Sequence, residues 1–114
     1  MGIQEWSDQV LVVDLADDPL LTDDLNALFD SLAARGDRHV VVDFSAVSFL
    51  NSSNLATLLK LRKYQHDRRR KLRLCALPEA VSSVFHVTGL EALFEFVPQL
   101  STALAELQLN GGKK

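Results

Sequence analysis

Residues 40–61 read VVVDFSAVSFLNSSNLATLLKL. Val40-Val41-Val42-Asp43-Phe44 is a short, nearly continuous apolar run, the pattern of a central strand covered on both faces. A loop follows from Ser45 to Leu50, and then the polar cluster Asn51-Ser52-Ser53-Asn54. Leu55, Leu58, Leu59 and Leu61 next supply the apolar stripe of a helix, with Lys60, Lys63 and Gln65 pointing elsewhere on the wheel. A strand that hands over to a helix through a polar turn is one half of a strand-helix-strand unit, and the rest of the chain supplies more of them.

Upstream, Ile3 to Trp6 and Val10 to Leu15 read as strands joined through the turn-like Ser7-Asp8-Gln9, the second dense in β-branched residues. Asp17-Asp18-Pro19 breaks that strand. Leu25, Leu28, Phe29, Leu32 and Ala33 then recur at helical spacing, with Thr22 as the expected N-cap, Asp23 and Asp24 in the first turn and Gly36 as the stop. Downstream, Leu72 to Leu77 is a further strand closed by Pro78. Pro78 to Val87 fits a short helix with Val81, Val84 and Phe85 on one face, stopped at Gly89. Leu93 to Val97 is an edge strand or an extended piece, and Pro98 opens a last helix using Leu100, Leu104 and Leu107. The order is β-β-α-β-α-β-α-(β)-α, a small single-domain α/β protein with a mixed sheet and about four helices, over residues 1–109. Residues 110–114, NGGKK, have nothing to bury and are expected to be a disordered tail.

Composition bounds the chemistry. The 114 residues are 47% hydrophobic and 24% charged, enough for one core without staples. Cys75 has no partner for a disulfide and reads as a small core residue. His39, His66 and His86 lie far apart, so no metal site is expected. Phosphate loops, dinucleotide fingerprints and nucleophile elbows are missing, with five glycines in all, two of them in the tail. No catalytic residue and no cofactor is expected. Asp14, Asp17, Asp18, Asp23 and Asp24 cluster about a strand end and a helix start, where turn and capping roles account for them. With no membrane-spanning run and no basic segment ahead of an apolar one at the start, the expected location is cytoplasmic, without membrane insertion.

The formal net charge is -3, but the halves are polarised: residues 1–50 hold ten acids and two bases, residues 51–114 ten bases and five acids. Eight of the twelve bases lie between Lys60 and Arg73, including the run Arg68-Arg69-Arg70-Lys71. Such a run would suit nucleic acid or an acidic membrane. No aromatics interleave it to stack bases and the whole chain is acidic, which favours a solvated helix end and no direct nucleic-acid binding.

The quartet Asn51-Ser52-Ser53-Asn54 is richer than a cap requires, because one residue suffices to cap a helix. Capping is the commoner use of Ser and Asn. A helix N-terminus also presents free N–H groups and partial positive charge, so a phosphoryl group on a serine there can be accommodated without unfolding. Both readings stay open on physics alone.

The segment VVVDFSAVSFLNSSNLATLLKL resembles the signature of STAS domains, the family of anti-sigma factor antagonists and of the cytoplasmic domains of sulfate transporters. In that signature an apolar strand ends in Asp, and a short loop precedes Asp-Ser-Ser-Gly-Leu opening a helix. VFHVTGLEALFEFVPQLSTALAEL resembles the family's closing segment, so the likeness runs over nearly the whole chain. The resemblance implies a module without catalytic groups that binds an anti-sigma factor serine kinase and is switched off when that kinase phosphorylates Ser52, with Ser53 as the fallback acceptor. A serine phosphatase would reset it. Asn51, Ser52, Ser53, Asn54 and Leu55 are the implied partner-binding residues. Two departures stand out: the signature Asp is Asn51 and the usual Gly is Asn54, with Ala56 where a second small residue is common. An amide caps a helix but carries no charge beside an acceptor hydroxyl. The alternative is a STAS regulatory subunit that works without phosphorylation on the ATPase of a membrane lipid transporter, an acidic surface of which the basic stretch Lys60 to Arg73 would suit.

Overall fold

Strand residues alternate between the two faces of a pleated sheet, and that alternation is how this chain uses its continuous apolar runs. The computed structural model describes residues 2–112, with side chains as far as Leu107. It contains strands β1 (Gly2–Glu5), β2 (Val10–Ala16), β3 (His39–Ala46), β4 (Leu72–Cys75) and β5 (Phe96–Val97). The helices are α1 (Leu20–Arg35), α2 (Ser52–Asp67), α3 (Glu79–Val87) and α4 (Leu100–Gly112), with a 3-10 turn at Leu90–Leu93. The strands form one sheet in the order β1-β2-β3-β4-β5, antiparallel between β1 and β2 and parallel elsewhere.

On one face, Leu11, Val13 and Leu15 of β2 join Val40, Val42 and Phe44 of β3 and Leu72 and Leu74 of β4. That face packs on Leu21, Leu25, Leu28 and Leu32 of α1, Leu58 and Leu61 of α2, and Val81 and Phe85 of α3. On the other, Val10, Val12, Val41, Cys75 and Val97 pack on Ala103, Leu104 and Leu107 of α4. The fold is therefore the small α/β arrangement with a mixed sheet and four helices that the sequence pattern implies. Burial pushes the Cys75 thiol up to about 12, so it is a neutral core group.

The structure corrects several local expectations. Thr22 is not the N-cap of α1: the helix starts at Leu20, and Thr22 lies inside its first turn, donating from N and Oγ1 to Asp18 Oδ1 at 2.8 and 2.7 Å. Ala33 is exposed, the buried stripe of α1 beginning one turn earlier at Leu21. Gln65 does not face solvent: it is 1% exposed, and its Nε2 donates to the carbonyls of Arg38 and Lys71 at 2.8 and 3.0 Å. β4 stops at Cys75, where the chain turns through Ala76 at φ 57°, and only Phe96 and Val97 of the last extended piece pair as a strand. α4 runs three residues into the segment read as a tail, and residues 113–114 lie outside the described residues.

Candidate functional site

β2 and β3 are parallel neighbours with Ala16 opposite Ala46, so the loops that follow them leave the sheet at the same edge. This edge, at the carboxyl ends of parallel strands, is where open α/β sheets present their sites. The β2–α1 loop brings Asp17 and Asp18, and the β3–α2 loop brings residues 47–51 and the N-terminus of α2. Asp17 ties the two together: its Oδ1 accepts from Ser48 N at 2.8 Å and its Oδ2 from Ser48 Oγ at 2.5 Å. The Ser48 hydroxyl and backbone N–H hold the Asp17 carboxyl below its ordinary range.

The quartet divides its labour. Asn51 is the N-cap in extended backbone, and its Oδ1 accepts from Asn54 N at 2.8 Å. Asn54 Oδ1 returns the bond from Asn51 N at 3.0 Å, completing a reciprocal capping box built from two amides. The remaining polar group of Asn54, Nδ2, donates to Asp18 Oδ2 at 3.0 Å. Asn54 is 3% exposed, so every polar atom of a buried side chain is satisfied. Its amide, together with the hydroxyl and N–H of Thr22, holds the Asp18 carboxyl below the usual carboxylate range, with Asn51 adding a smaller share.

With the caps supplied by two asparagines, the hydroxyls of Ser52 and Ser53 are left over. Both residues are exposed, and neither hydroxyl has a hydrogen-bond partner among the described residues. Asn51 is exposed and Leu55 half-buried. Asn54, read from the sequence as part of the contact surface, is instead an internal clasp. The acid that the signature lacks at position 51 stands beside the same box from another element, as Asp18.

Sequence reading passed over Phe49, a loop residue 57% exposed, and Leu20, 45% exposed at the start of α1. Phe49 belongs to an apolar pair whose second member, Leu50, is 7% exposed and anchors the loop in the core. A pair of adjacent apolar residues in a loop is the signal, since only one of them can face inward.

Among the described residues no group of three His, Cys, Asp or Glu is placed to hold a metal ion, and no helix is long and apolar enough to cross a membrane. His39 Nδ1 accepts from Lys71 N at 2.9 Å, and His86 faces Glu91 at 3.0 Å.

A five-stranded mixed sheet with three helices on one face, one on the other, and a serine pair opening the second helix defines a small α/β module. The family model described as Mlab, STAS domain matches residues 4–107, and the chain belongs to the STAS domain family. Solved structures share the fold at low identity. An anti-sigma-factor antagonist (STAS) domain protein from Planctomyces limnophilus is 18% identical, with a TM-score of 0.76 over 95% of this chain and 99% of that one. A variant of Moorella thermoacetica RsbS is 17% identical, with a TM-score of 0.80 over 99% and 97%. The Bacillus cell fate determinant SpoIIAA in its phosphorylated form is 14% identical, with a TM-score of 0.72 over 93% and 97%.

Proposed function

We propose that this chain is an anti-sigma factor antagonist: a binding module that docks on an anti-sigma factor serine kinase through the start of α2 and its flanking loops, and is switched off by phosphorylation at Ser52. The observation that carries the reading is the pair of exposed, unbonded serine hydroxyls on a helix start whose capping is already complete. A phosphoryl group on Ser52 displaces no cap. It meets backbone N–H groups of the first turn, since Asn54 N is bonded to Asn51 Oδ1 while the N–H groups of Ser52 and Ser53 have no acceptor among the described residues. It also adds about -1.5 to -2 charges beside Asp17 and Asp18. The fold is thus retained while the docking surface becomes strongly negative, which is how a switch rejects a partner it accepted before. The chain contributes the acceptor hydroxyl and the surface; the kinase and a resetting serine phosphatase contribute the chemistry, in the cytoplasm.

The contact surface is Asn51, Ser52, Ser53 and the exposed edge of Leu55, extended by Phe49 as an aromatic anchor. Asn54 holds this surface in place from below.

The experiment is incubation with the cognate kinase and ATP followed by intact mass. One added phosphate is expected, lost in Ser52→Ala and kept in Ser53→Ala. Retention of the phosphate in Ser52→Ala with loss in Ser53→Ala moves the acceptor to the fallback. An unmodified mass while the kinase binds the chain overturns the switch. That result favours the second reading, a STAS subunit on the ATPase of a membrane lipid transporter working without phosphorylation, for which the uncharged Asn51 at the signature position speaks.

A further inference from the structure

The four cations that follow the last turn of α2 do not share one role. Arg68 is used by the fold: its guanidinium lies 3.6 Å from the ring centre of Tyr64 and its Nε 3.4 Å from Asp37. Arg69, Arg70 and Lys71 have no carboxylate partner among the described residues. They line a cavity of about 480 Å³ together with Arg62, Arg73 and one carboxylate, Glu95. α2 spans 16 residues, so this cavity lies about 24 Å from the serine pair, at the other end of the helix.

We propose that this cavity binds a small, soluble molecule bearing two or more linked phosphates. Five Lys or Arg side chains around one space are mutually repulsive, and the chain as a whole carries a formal charge of -3, so the excess is local rather than compositional. The group is also held in position. Arg62 Nε is tied to the Leu93 carbonyl at 2.5 Å, which aims the fork and leaves its terminal nitrogens without a partner among the described residues. Arg73 Nε is tied to Glu106 at 3.1 Å. Arg70 N donates to the Gln65 carbonyl at 2.9 Å, while the buried Nε of Arg70 has no partner among the described residues. Gln65, also on the cavity wall and 1% exposed, keeps an unbonded Oε1. The Arg62 guanidinium, fixed through Nε and free at its end, matches phosphate oxygens in geometry as well as charge, whereas Arg73 also donates from Nη1 to the Leu72 carbonyl at 3.3 Å. Four cations not neutralised by a carboxylate among the described residues, namely Arg62, Arg69, Arg70 and Lys71, suit a ligand of three or four negative charges better than a single phosphate. The volume is that of a small-ligand site, and Leu93 and Phe94 give it an apolar wall for an organic group.

The test is titration of the full chain with inorganic pyrophosphate and with ADP at 150 mM NaCl, followed by calorimetry and by amide shifts. Saturable one-to-one binding is expected, with shifts concentrated at residues 69–73. Arg69→Gln with Lys71→Gln, both at exposed positions, should weaken it at least tenfold. Lys60→Gln with Lys63→Gln, which removes the same charge from α2 outside the cavity, should change it by less than twofold. Cooperative unfolding of both pairs by circular dichroism shows that they fold. Any of four results overturns the proposal: no saturation by 5 mM, equal weakening in the two double variants, shifts centred on residues 52–55, or retention on phosphatidylglycerol vesicles without pyrophosphate binding.

Discussion

Asn54 Nδ2 donates to Asp18 Oδ2 across 3.0 Å, joining the first turn of α2 to the β2–α1 loop 36 residues away in the chain. The same amide closes the capping box with Asn51, so a single buried side chain fixes both the start of α2 and its seat against the β2–α1 loop.

This arrangement separates capping from the serine pair. Asn51→Ala should lower unfolding free energy by about 0.5–2 kcal/mol. Asn54→Ala, which also removes the donor to Asp18 Oδ2, should cost about 1–3 kcal/mol. Ser52→Ala should stay within about 0.5 kcal/mol of the parent, because its hydroxyl bonds nothing among the described residues. Urea unfolding monitored by circular dichroism measures all three, and a Ser52→Ala loss as large as that of Asn51→Ala would assign the cap to the serine.

The loop carboxylates contribute to the acid limb of the stability curve alongside Glu5 and Asp67, which are also held low by cationic neighbours. Asp17 and Asp18 are both held below the ordinary value of 3.8, so the unfolded chain binds more protons than the folded one in the interval beneath it. Their contribution is present above 3.8 and is lost as pH falls through the folded values. Asp17→Asn and Asp18→Asn should each flatten the decline in melting temperature below about pH 4. An unchanged acid slope in both would show that other groups set it.

Phe49 is predicted to matter for binding and not for folding. With the residue 57% exposed, Phe49→Ala should leave stability within about 0.5 kcal/mol while weakening kinase binding by about tenfold or more. Calorimetry against the cognate kinase decides it, and full affinity in the variant would place the interface elsewhere.

Gln65 offers a test of the lower end of α2. Gln65→Leu keeps the bulk but removes the side-chain donor to the Arg38 carbonyl and one of the two donors to the Lys71 carbonyl, which keeps Val40 N. A cost of about 1–3 kcal/mol is expected in urea unfolding. A gain in stability would mean that the apolar swap outweighs both bonds.

Much of the fold is legible from apolar spacing: the continuous apolar runs of β2 and β3, the leucine stripe of α1 and the stops at Gly36 and Gly89 are local properties. Gln65 and Asn54 are not legible in that way. Each is a polar residue at a helical position that faces inward, and its burial is stabilised by partners 27 and 36 residues away, which no helical wheel contains. Thr22 departs from its expected capping place for a related reason, since Pro19 holds the N-cap position and the Asp18 carboxylate accepts the Thr22 N–H from outside the helix. The quartet at 51–54 was visible as an excess of polar residues. Which two of them cap and which two are spare depends on the fold of the loop. Phe49 and Leu50 are indistinguishable by type, and only the direction of the chain past Asp17 decides which one is buried.

Because the carboxylates of Asp17 and Asp18 stand at one end of α2 and the unneutralised cations at the other, the molecule behaves as a small electric needle. A charged partner turns such a body before touching it, so the pole that arrives first is chosen during diffusion and depends on ionic strength. Adding phosphate to Ser52 would lengthen the needle's negative arm, altering the trajectory of approach as well as the fit on arrival.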